Sequence, residues 1–170
     1  MIKYINIFTK LAIVVFLFIF FMAFSSIWYF SSGLPDYKKL AEYEPPVSSR
    51  VYADNGNLIA EYAIEKRLFI PYSSIPKKII NSFLSAEDKN FFNHPGIDAR
   101  GIVRAALKNI KNIFDNKRLE GASTITQQVA KNFLLTNEIS FKRKIKEAIL
   151  AFRIEKAYSK ERILELYLNQ

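Results

Sequence analysis

The sequence predicts a mainly α-helical protein with an N-terminal transmembrane helix, a small β element and a C-terminal helical domain. Three observations support this prediction. Residues 11–30 form an apolar run without charge, an Asn-Gly pair lies between two β-prone runs, and apolar residues recur at helical spacing from residue 74 onward. We therefore expect a cytoplasmic tail at 1–10, a transmembrane signal anchor at 11–32, a linker with a small β-hairpin at 33–75, and a helical domain at 76–170.

The apolar run has the length of a membrane-spanning helix. At about 1.5 Å per residue, its 20 residues cover the roughly 30 Å hydrocarbon layer. Lys3 and Lys10 precede the run and Asp36 follows it, so the positive-inside rule places the N-terminus in the cytoplasm and the remainder outside. A cleaved signal peptide, with Ala23 and Ser25 before the cut, is the alternative, but the apolar run continues beyond that point.

The segment after the linker predicts a β-hairpin. Asn55 and Gly56 lie between two runs rich in β-forming residues, which is the strongest short-range hairpin signal. Residues 67–72 could add a third short strand that ends at Pro71.

Five helices are predicted in the C-terminal half, and each begins near a residue that can cap it. They run from Ser74 to about Asn90, from Asp98 to about Phe114, from Gly121 and Ser123 to about Leu135, from Ser140 to about Lys156, and from Ser159 to Gln170. The last helix is still running where the sequence stops, which suggests a fragment of a longer chain.

Composition narrows the chemistry. The chain has no cysteine and a single histidine, so disulfides, thiolate nucleophiles and multi-histidine metal sites are excluded, and His94 is read as a turn residue. The net charge is +9, of which +8 lies in residues 77–170. A cationic region of this kind indicates an anionic partner, and the membrane anchor favours a lipid or phosphorylated substrate over nucleic acid.

Two acidic residues end the first predicted helix of this half. At 100° per residue, Glu87 falls on the apolar stripe that contains Phe83 and Leu84. Desolvation there is expected to raise the pKa of Glu87, unless its side chain reaches back to solvent from the helix end. Asp88, one step around the helix, is expected at the solvated edge.

The fourth predicted helix contains another acidic residue, Glu147, and this one has cations as its neighbours. Arg143 precedes Glu147 by four residues and Lys144 precedes it by three, and both spacings bring side chains together on a helix. The cations are expected to keep Glu147 ionised, although an ordinary surface ion-pair cluster is the alternative. One carboxylate in an apolar setting and one among cations suggest a base and an electrostatic partner.

The third predicted helix has a polar side. Hydroxyl, amide and ammonium groups suit sugars and phosphates as hydrogen-bond partners, and the helix N-terminus adds free backbone N–H groups. An exposed polar face without a ligand is the alternative. The residues in this row are Thr124, Gln127, Gln128 and Lys131.

The second predicted helix is two-sided. Its apolar arc is expected to pack into the core, or else to lie on the bilayer surface as the apolar face of a basic amphipathic helix. The arc contains Ile102, Val103, Ala106, Leu107, Ile110, Ile113 and Phe114.

Four motifs follow one another in this half of the chain. They are EDKNFFNHPG at 87–96, GASTITQQ at 121–128, RKIKE at 143–147 and KERILELYLN at 160–169. In this order, and behind an N-terminal anchor, they resemble the first four motifs of the family 51 peptidoglycan glycosyltransferases, the polymerase module of class A penicillin-binding proteins. The resemblance covers about residues 50–170, so that 76–170 would be the N-terminal part of a glycosyltransferase domain.

The resemblance implies a fold, an activity and a location. Such enzymes have a lysozyme-like α-helical domain with a lobe that dips into the membrane. They polymerise lipid II into β-1,4-linked glycan with inversion, and undecaprenyl diphosphate is released at the outer face of the inner membrane. Lipid II and the lipid-linked glycan chain would be the partners, with other cell-wall synthesis proteins as further candidates. A divalent cation, Mg²⁺ or Mn²⁺, would assist, its ligands are not assigned, and no organic cofactor is implied.

The resemblance also assigns residues. Glu87 would be the base that takes the proton from the acceptor hydroxyl, and Glu147 would lie beside the diphosphate as the second catalytic carboxylate. The substrate-binding residues would be Asp88, Ser123, Thr124, Gln127, Gln128, Lys131, Arg143 and Lys144.

Two other functions compete with this one. A lysozyme-like muramidase or lytic transglycosylase would also use a glutamate at a helix end, but it would cleave glycan. A membrane-anchored basic module that binds anionic lipid or nucleic acid would need no catalytic carboxylate. The fifth motif of the resembled family is absent from this sequence, and so is a transpeptidase motif. The sequence therefore predicts the polymerase without indicating whether a transpeptidase domain accompanies it or whether a fragment of this length is active alone.

Overall fold

The computed structural model describes residues 2–41, 43, 49–62, 68–136 and 138–170. Within these ranges the chain forms six α-helices and one two-stranded sheet. The elements are α1 (Ile2–Ser31), β1 (Ser49–Tyr52), β2 (Leu58–Tyr62), α2 (Lys77–Glu87), α3 (Ala99–Phe114), α4 (Ile125–Leu134), α5 (Phe141–Ala157) and α6 (Lys160–Leu168). The predicted fold class, with an N-terminal apolar helix, a hairpin and a helical domain, is confirmed.

Helix α1 is a single long apolar helix. By length and composition, its 23 residues Thr9–Ser31 are sufficient to cross a membrane, and they contribute nothing to the buried core. Its C-terminal end contacts α5, where the guanidinium of Arg153 donates a hydrogen bond to the hydroxyl of Ser31. The contact and the hydrogen bond attach the C-terminal end of α1 to the helical domain.

The segment after α1 is more ordered than a plain linker. Residues Tyr37–Leu40 form a 3-10 turn whose first residue is preceded by the cap Asp36, and Leu40 is buried in the core. The hydroxyl of Tyr158 donates to the carbonyl of Tyr37 at 3.0 Å, and Arg162 donates to the carbonyl of Leu40 at 3.3 Å. These contacts bind residues 37–40 to the C-terminal end of α5 and to α6.

The β-hairpin forms where the Asn-Gly pair predicts it. Strands β1 and β2 pair antiparallel, and Gly56 at the turn has φ +79°, a conformation that favours glycine. The side chain of Asn55 accepts a hydrogen bond from the backbone N–H of Asn57 at 3.1 Å, which supports the turn.

The predicted third strand does not form. Residues 68–70 have no strand conformation, and 63–67 lie outside the described residues. Ile70 is instead bound at both backbone groups by the side chain of Asn169, with distances of 2.8 and 2.9 Å. A single amide thus supplies the pairing that a neighbouring strand would give.

The core of the helical domain surrounds α4. This helix is short, yet Ile125, Val129 and Ala130 are fully buried because α5 and α6 pack against it. Phe91, in a 3-10 turn between α2 and α3, and buried side chains of the other helices complete the core, the latter being Ile80, Leu150, Ile154, Ile163, Leu164, Leu166 and Tyr167.

Helix ends differ from the predicted ones in α2, α4 and α6. Helix α4 begins at Ile125 after the cap Thr124, so Gly121 and Ser123 lie before the helix and do not open it. Ser74 lies in a 3-10 turn and does not cap α2, which begins after Pro76 and ends at Glu87, three residues before the predicted end. Helix α6 ends at Leu168, where the backbone N–H of Asn169 bonds to the carbonyl of Glu165. Asp98, Ser140 and Ser159 cap their helices as predicted.

The apolar arc of α3 is not part of the core, so the expectation of core packing is wrong. Leu107 is 66% exposed and Phe114 is 83% exposed, and most of the arc is similar. The buried side of α3 is the narrow one formed by Gly101, Ala105 and Asn112. The helix therefore faces the rest of the domain with its small residues and presents its large apolar residues outward.

Candidate active site

A polar cleft with a volume of about 500 Å³ lies where α2, α4 and α5 meet. Its walls bring together segments that are far apart in sequence. They are formed by Ala86, Glu87, Gly121, Ser123, Gln127, Gln128, Lys131, Arg143, Lys144 and Glu147.

Glu87 is the carboxylate that opens onto this cleft. It is the last residue of α2, and its side chain is exposed. The amide of Gln128 donates a hydrogen bond to Glu87 Oε2 at 2.9 Å. The expectation that Glu87 is desolvated on an apolar stripe is therefore wrong, because the end of the helix turns the side chain toward the cleft.

Glu147, unlike Glu87, is buried and surrounded by positive charge. Its side chain is 1% exposed, and both of its carboxylate oxygens are engaged. Arg143 binds one oxygen, and the ammonium of Lys144 lies 2.7 Å from the other. Two cations and one carboxylate on a single stretch of α5 leave a net positive charge at the cleft wall, as the spacing predicts.

Lys144 connects this charged group to the segment before α4. Its ammonium also lies 2.7 Å from the hydroxyl of Ser123. Burial lowers the pKa of Lys144, and the positive charges of Arg143 and Lys131 lower it further. The three cations thus face the same small volume.

The N-terminus of α4 is closed by its own side chains. The hydroxyl of Thr124 accepts from the backbone N–H of Gln127 at 3.2 Å, and Gln127 Oε1 accepts from the backbone N–H of Thr124 at 3.0 Å. The side chains of Thr124 and Gln127, which the sequence predicts to bind a ligand, therefore bond to each other's backbone in this reciprocal capping box. Thr124 is buried and does not line the main cleft, whereas Gln127 and Gln128 do.

Asp88 and His94 form a buried pair that sequence reasoning missed. Asp88 is 6% exposed, so the expectation of a solvated edge position is wrong. His94 Nε2 lies 3.0 Å from both carboxylate oxygens of Asp88, and the backbone N–H of Ile125 donates to one of them at 3.0 Å. The Asp88 carboxylate therefore joins the end of α2 to the first turn of α4, and Asp88 lines a small side pocket instead of the main cleft.

The turn that carries His94 is held from the other side. The backbone N–H of Gly96 donates to His94 Nδ1 at 3.2 Å, so His94 Nε2 carries the proton that faces Asp88. Gly96 has φ +95°, and a Cβ there would lie 2.9 Å from the carbonyl oxygen of Ala151 on α5. Thr124 donates to the carbonyl of Gly96 at 2.6 Å, which completes a rigid support behind Glu87.

The described part of the chain contains no cluster of side chains that could bind a divalent cation without other ligands. The described residues contain no group of three or more carboxylate, histidine or cysteine side chains that could hold one. The carboxylate oxygens of Glu147 are already bound by Arg143 and Lys144. The donor set of the cleft does not fit a resident metal, and the positive charge at its wall comes from side chains.

Comparison with known proteins identifies the family. The family model described as Transglycosylase matches residues 55–170, which contain every residue of the cleft. Penicillin-binding protein 1A of Rickettsia felis is 60% identical over 144 residues, which are 85% of this chain and 18% of that protein. Penicillin-binding protein 1A of Aquifex aeolicus is 47% identical over 138 residues, covering 81% of this chain and 19% of the relative. The same-named protein of Pseudomonas aeruginosa is 44% identical over 142 residues, covering 84% and 17%.

This chain spans less than a fifth of the length of these relatives. The family predicted from the four motifs is confirmed, and so is the expectation of an enzyme domain of this class. With the family model covering most of the chain and the whole cleft, the chain belongs to the transglycosylase family.

Proposed function

We propose that this protein is a peptidoglycan glycosyltransferase that polymerises lipid II during cell-wall synthesis. The observation that supports this most strongly is the division of charge in the cleft, where the exposed carboxylate of Glu87 shares one cavity with the cations Lys131, Arg143 and Lys144. Base and cations in one cavity suit the attack of a hydroxyl on a sugar that carries a diphosphate leaving group.

In the proposed reaction, Glu87 accepts the proton of the GlcNAc 4-hydroxyl of an acceptor lipid II. The hydroxyl oxygen forms the new bond to C1 of the lipid-linked MurNAc, and the bond from C1 to the diphosphate oxygen breaks with its electron pair. Inversion converts the α-linked diphosphate into a β-1,4 link. Gln128, which donates to Glu87 at 2.9 Å, orients the base.

The departing diphosphate takes up negative charge, which the wall opposite Glu87 is suited to stabilise. Arg143 and Lys144 are charged donors, and Lys131 lines the same cavity. Glu147 holds Arg143 and Lys144 in place with both of its oxygens, so we assign it the role of a positioning residue. A divalent metal would need the diphosphate oxygens as ligands, because both carboxylate oxygens of Glu147 are already bound by Arg143 and Lys144.

We also propose the location. The N-terminus lies in the cytoplasm, α1 crosses the inner membrane once, and the helical domain lies outside. Lys3 and Lys10 before the span and Asp36 after it support this orientation. A substrate with a polyprenyl tail fits a domain tethered to the membrane at residue 31.

The test is a polymerisation assay with labelled lipid II, using the intact protein in detergent with and without divalent metal. The proposal predicts long glycan chains and release of undecaprenyl diphosphate. Purified cell-wall sacculi incubated with the same protein should release no soluble muropeptides. Release of muropeptides without polymerisation would establish a lytic enzyme. The absence of both products would favour a binding module.

A further inference from the structure

Two asparagines on α3 fasten the following segment to the helix. We call residues 117–123 the rim segment, because its last residues, Gly121 and Ser123, line the cleft. Asn109 Nδ2 donates to the carbonyl of Glu120 at 2.9 Å, and the N–H of Glu120 donates to Asn109 Oδ1 at 2.7 Å. One amide therefore satisfies both backbone groups of Glu120, as a neighbouring β-strand would.

Asn112 repeats the arrangement one turn further along α3. Its side-chain amide donates to the carbonyl of Arg118 at 3.1 Å, and its backbone carbonyl accepts from the N–H of Lys117 at 2.8 Å. Asn116, with φ +51°, reverses the chain between the helix and the rim segment. Residues 117–120 have no regular secondary structure, and these bonds to the two asparagines are what attach their backbone to α3 in the described part of the chain.

These asparagines do not act as ordinary caps of α3. Asn109 lies five residues before the helix ends at Phe114, and its hydrogen bonds reach a residue 11 positions away. Asparagine is a poor helix former in a helix interior, so this placement indicates a use for the side chain outside the helix. The use visible in the structure is to hold Glu120.

Glu120, the residue that Asn109 holds, lies in the rim segment directly before the residues of that segment that line the cleft. Glu120 leads directly to Gly121, which lines the same cleft as Glu87, and to Ser123, whose hydroxyl lies 2.7 Å from the ammonium of Lys144. The rim segment is thus held to α3 by Asn112 and Asn109, with an ion pair between Lys108 and the side chain of Glu120 beside them, and it continues into α4 at its other end. Loss of the two bonds from Asn109 would loosen the backbone of Glu120 and with it the positions of Gly121 and Ser123 relative to the reacting groups.

We propose that Asn109 is a positioning residue for glycosyl transfer, which places the rim of the cleft by binding both backbone groups of Glu120. The inference rests on the proposed function and extends it to a side chain outside the four motifs. It also makes α3, whose apolar face is exposed, a part that determines the shape of the cleft.

The test compares Asn109→Ala and Asn109→Asp in the intact protein in detergent, with Asn81→Ala as a matched control on the exposed surface of α2. Asn109→Ala should accelerate hydrogen exchange in residues 117–123 by about tenfold or more, since the opening of this segment would no longer break two bonds. It should also lower kcat for lipid II by about tenfold to a hundredfold per folded molecule. Asn109→Asp keeps the acceptor for the N–H of Glu120 and should give a smaller loss.

Several results would overturn the proposal. Unchanged exchange in the rim segment would show that Asn109 does not hold it, whatever the activity. A lower unfolding temperature with unchanged kcat per folded molecule would reduce Asn109 to a stabilising residue. Equal activity of Asn109→Ala and wild type would overturn this proposal alone, whereas a wild type that polymerises nothing would overturn the proposed function and the positioning role of Asn109 with it.

Discussion

At the scale of single residues, the charged group of α5 combines a buried carboxylate with two cations that face the cleft. Glu147 is almost completely buried, so its negative charge serves Arg143 and Lys144 rather than a ligand. Removing one member of such a group leaves the others without their partner in a partly desolvated place, which costs more than a surface ion pair would. The group should therefore respond sharply to single substitutions.

Glu147→Gln should lower kcat for lipid II polymerisation by about a hundredfold, because the two cations would lose the carboxylate that orients them. The measurement is steady-state kinetics on the intact protein. Glu138→Gln is the matched control, since Arg143 contacts the backbone carbonyl of Glu138, which the substitution retains. Equal kcat for Glu147→Gln and the control would contradict the positioning role.

The pH dependence of polymerisation should report on Lys144. Its pKa lies below the ordinary lysine value of 10.5, so its positive charge is lost at a lower pH than that of a free lysine. Activity should therefore fall on the alkaline side below the ordinary lysine range. Lys144→Arg should move this fall to higher pH, because a guanidinium keeps its proton, while Lys142→Arg on the exposed side should not. Identical alkaline limbs for wild type and Lys144→Arg would exclude Lys144 as the titrating group.

Residue-scale prediction succeeded where helical spacing decides the contact and failed where a helix ends. The spacing from Arg143 and Lys144 to Glu147 predicts the charged group because all three lie inside one helix. The sequence predicts a desolvated Glu87 and a solvated Asp88, and the structure shows the reverse. The reason is that Asp88, with φ −154° and ψ 75°, has already left the helix. His94 was missed because only the folded chain brings its ring to Asp88.

At the scale of elements, α3 shows most clearly what a periodic pattern can predict. The sequence predicts its bounds and its cap, and the structure confirms both. It does not indicate whether the apolar arc meets a protein core or a lipid layer, because both surfaces select the same side chains. The small residues Gly101 and Ala105 on the opposite side are the feature that could have suggested the correct orientation.

The cap of α3 should contribute measurably to stability. Asp98 accepts from the backbone N–H of Gly101 at 2.9 Å, so Asp98→Ala should lower the free energy of unfolding by about 1 kcal/mol at neutral pH. The hydrogen bond from Gly101 holds the pKa of Asp98 below its ordinary value. A lowered folded-state pKa gives stabilisation that is present above the unfolded pKa and disappears as the pH falls through the folded one. Thermal unfolding at both ends of that range, with Asp54→Ala as control, checks this, and an equal effect at acidic and neutral pH would contradict it.

The exposed apolar face of α3 should lie at the bilayer. The chain has one tryptophan, Trp28, so a Leu107→Trp variant in a Trp28→Phe background provides a single probe. In liposomes with brominated acyl chains its fluorescence should be quenched, because the apolar side of an interfacial helix reaches the acyl boundary. The control is Lys77→Trp in the same Trp28→Phe background, at an exposed position of α2. Equal quenching at the two positions would show that α3 has no special place at the membrane.

At the scale of the whole molecule, the membrane anchor and the cleft belong to one connected body. The end of α1 contacts α5 through Arg153 and Ser31, and α5 carries the charged group of the cleft nearer its other end. The order of helices and the hairpin could be predicted from local pattern. The packing of α4 between α5 and α6 could not, because it depends on contacts between residues distant in sequence.

The most important role in the assembled cleft is that of the base, which we assign to Glu87. The most direct measurement compares lipid II polymerisation by the wild type, Glu87→Gln and Glu161→Gln, the last being an exposed control on α6. We expect wild-type glycan from Glu161→Gln and a rate lower by at least about a hundredfold from Glu87→Gln, with its unfolding temperature and lipid II binding retained. Polymerisation at the wild-type rate by Glu87→Gln would contradict the account at its centre.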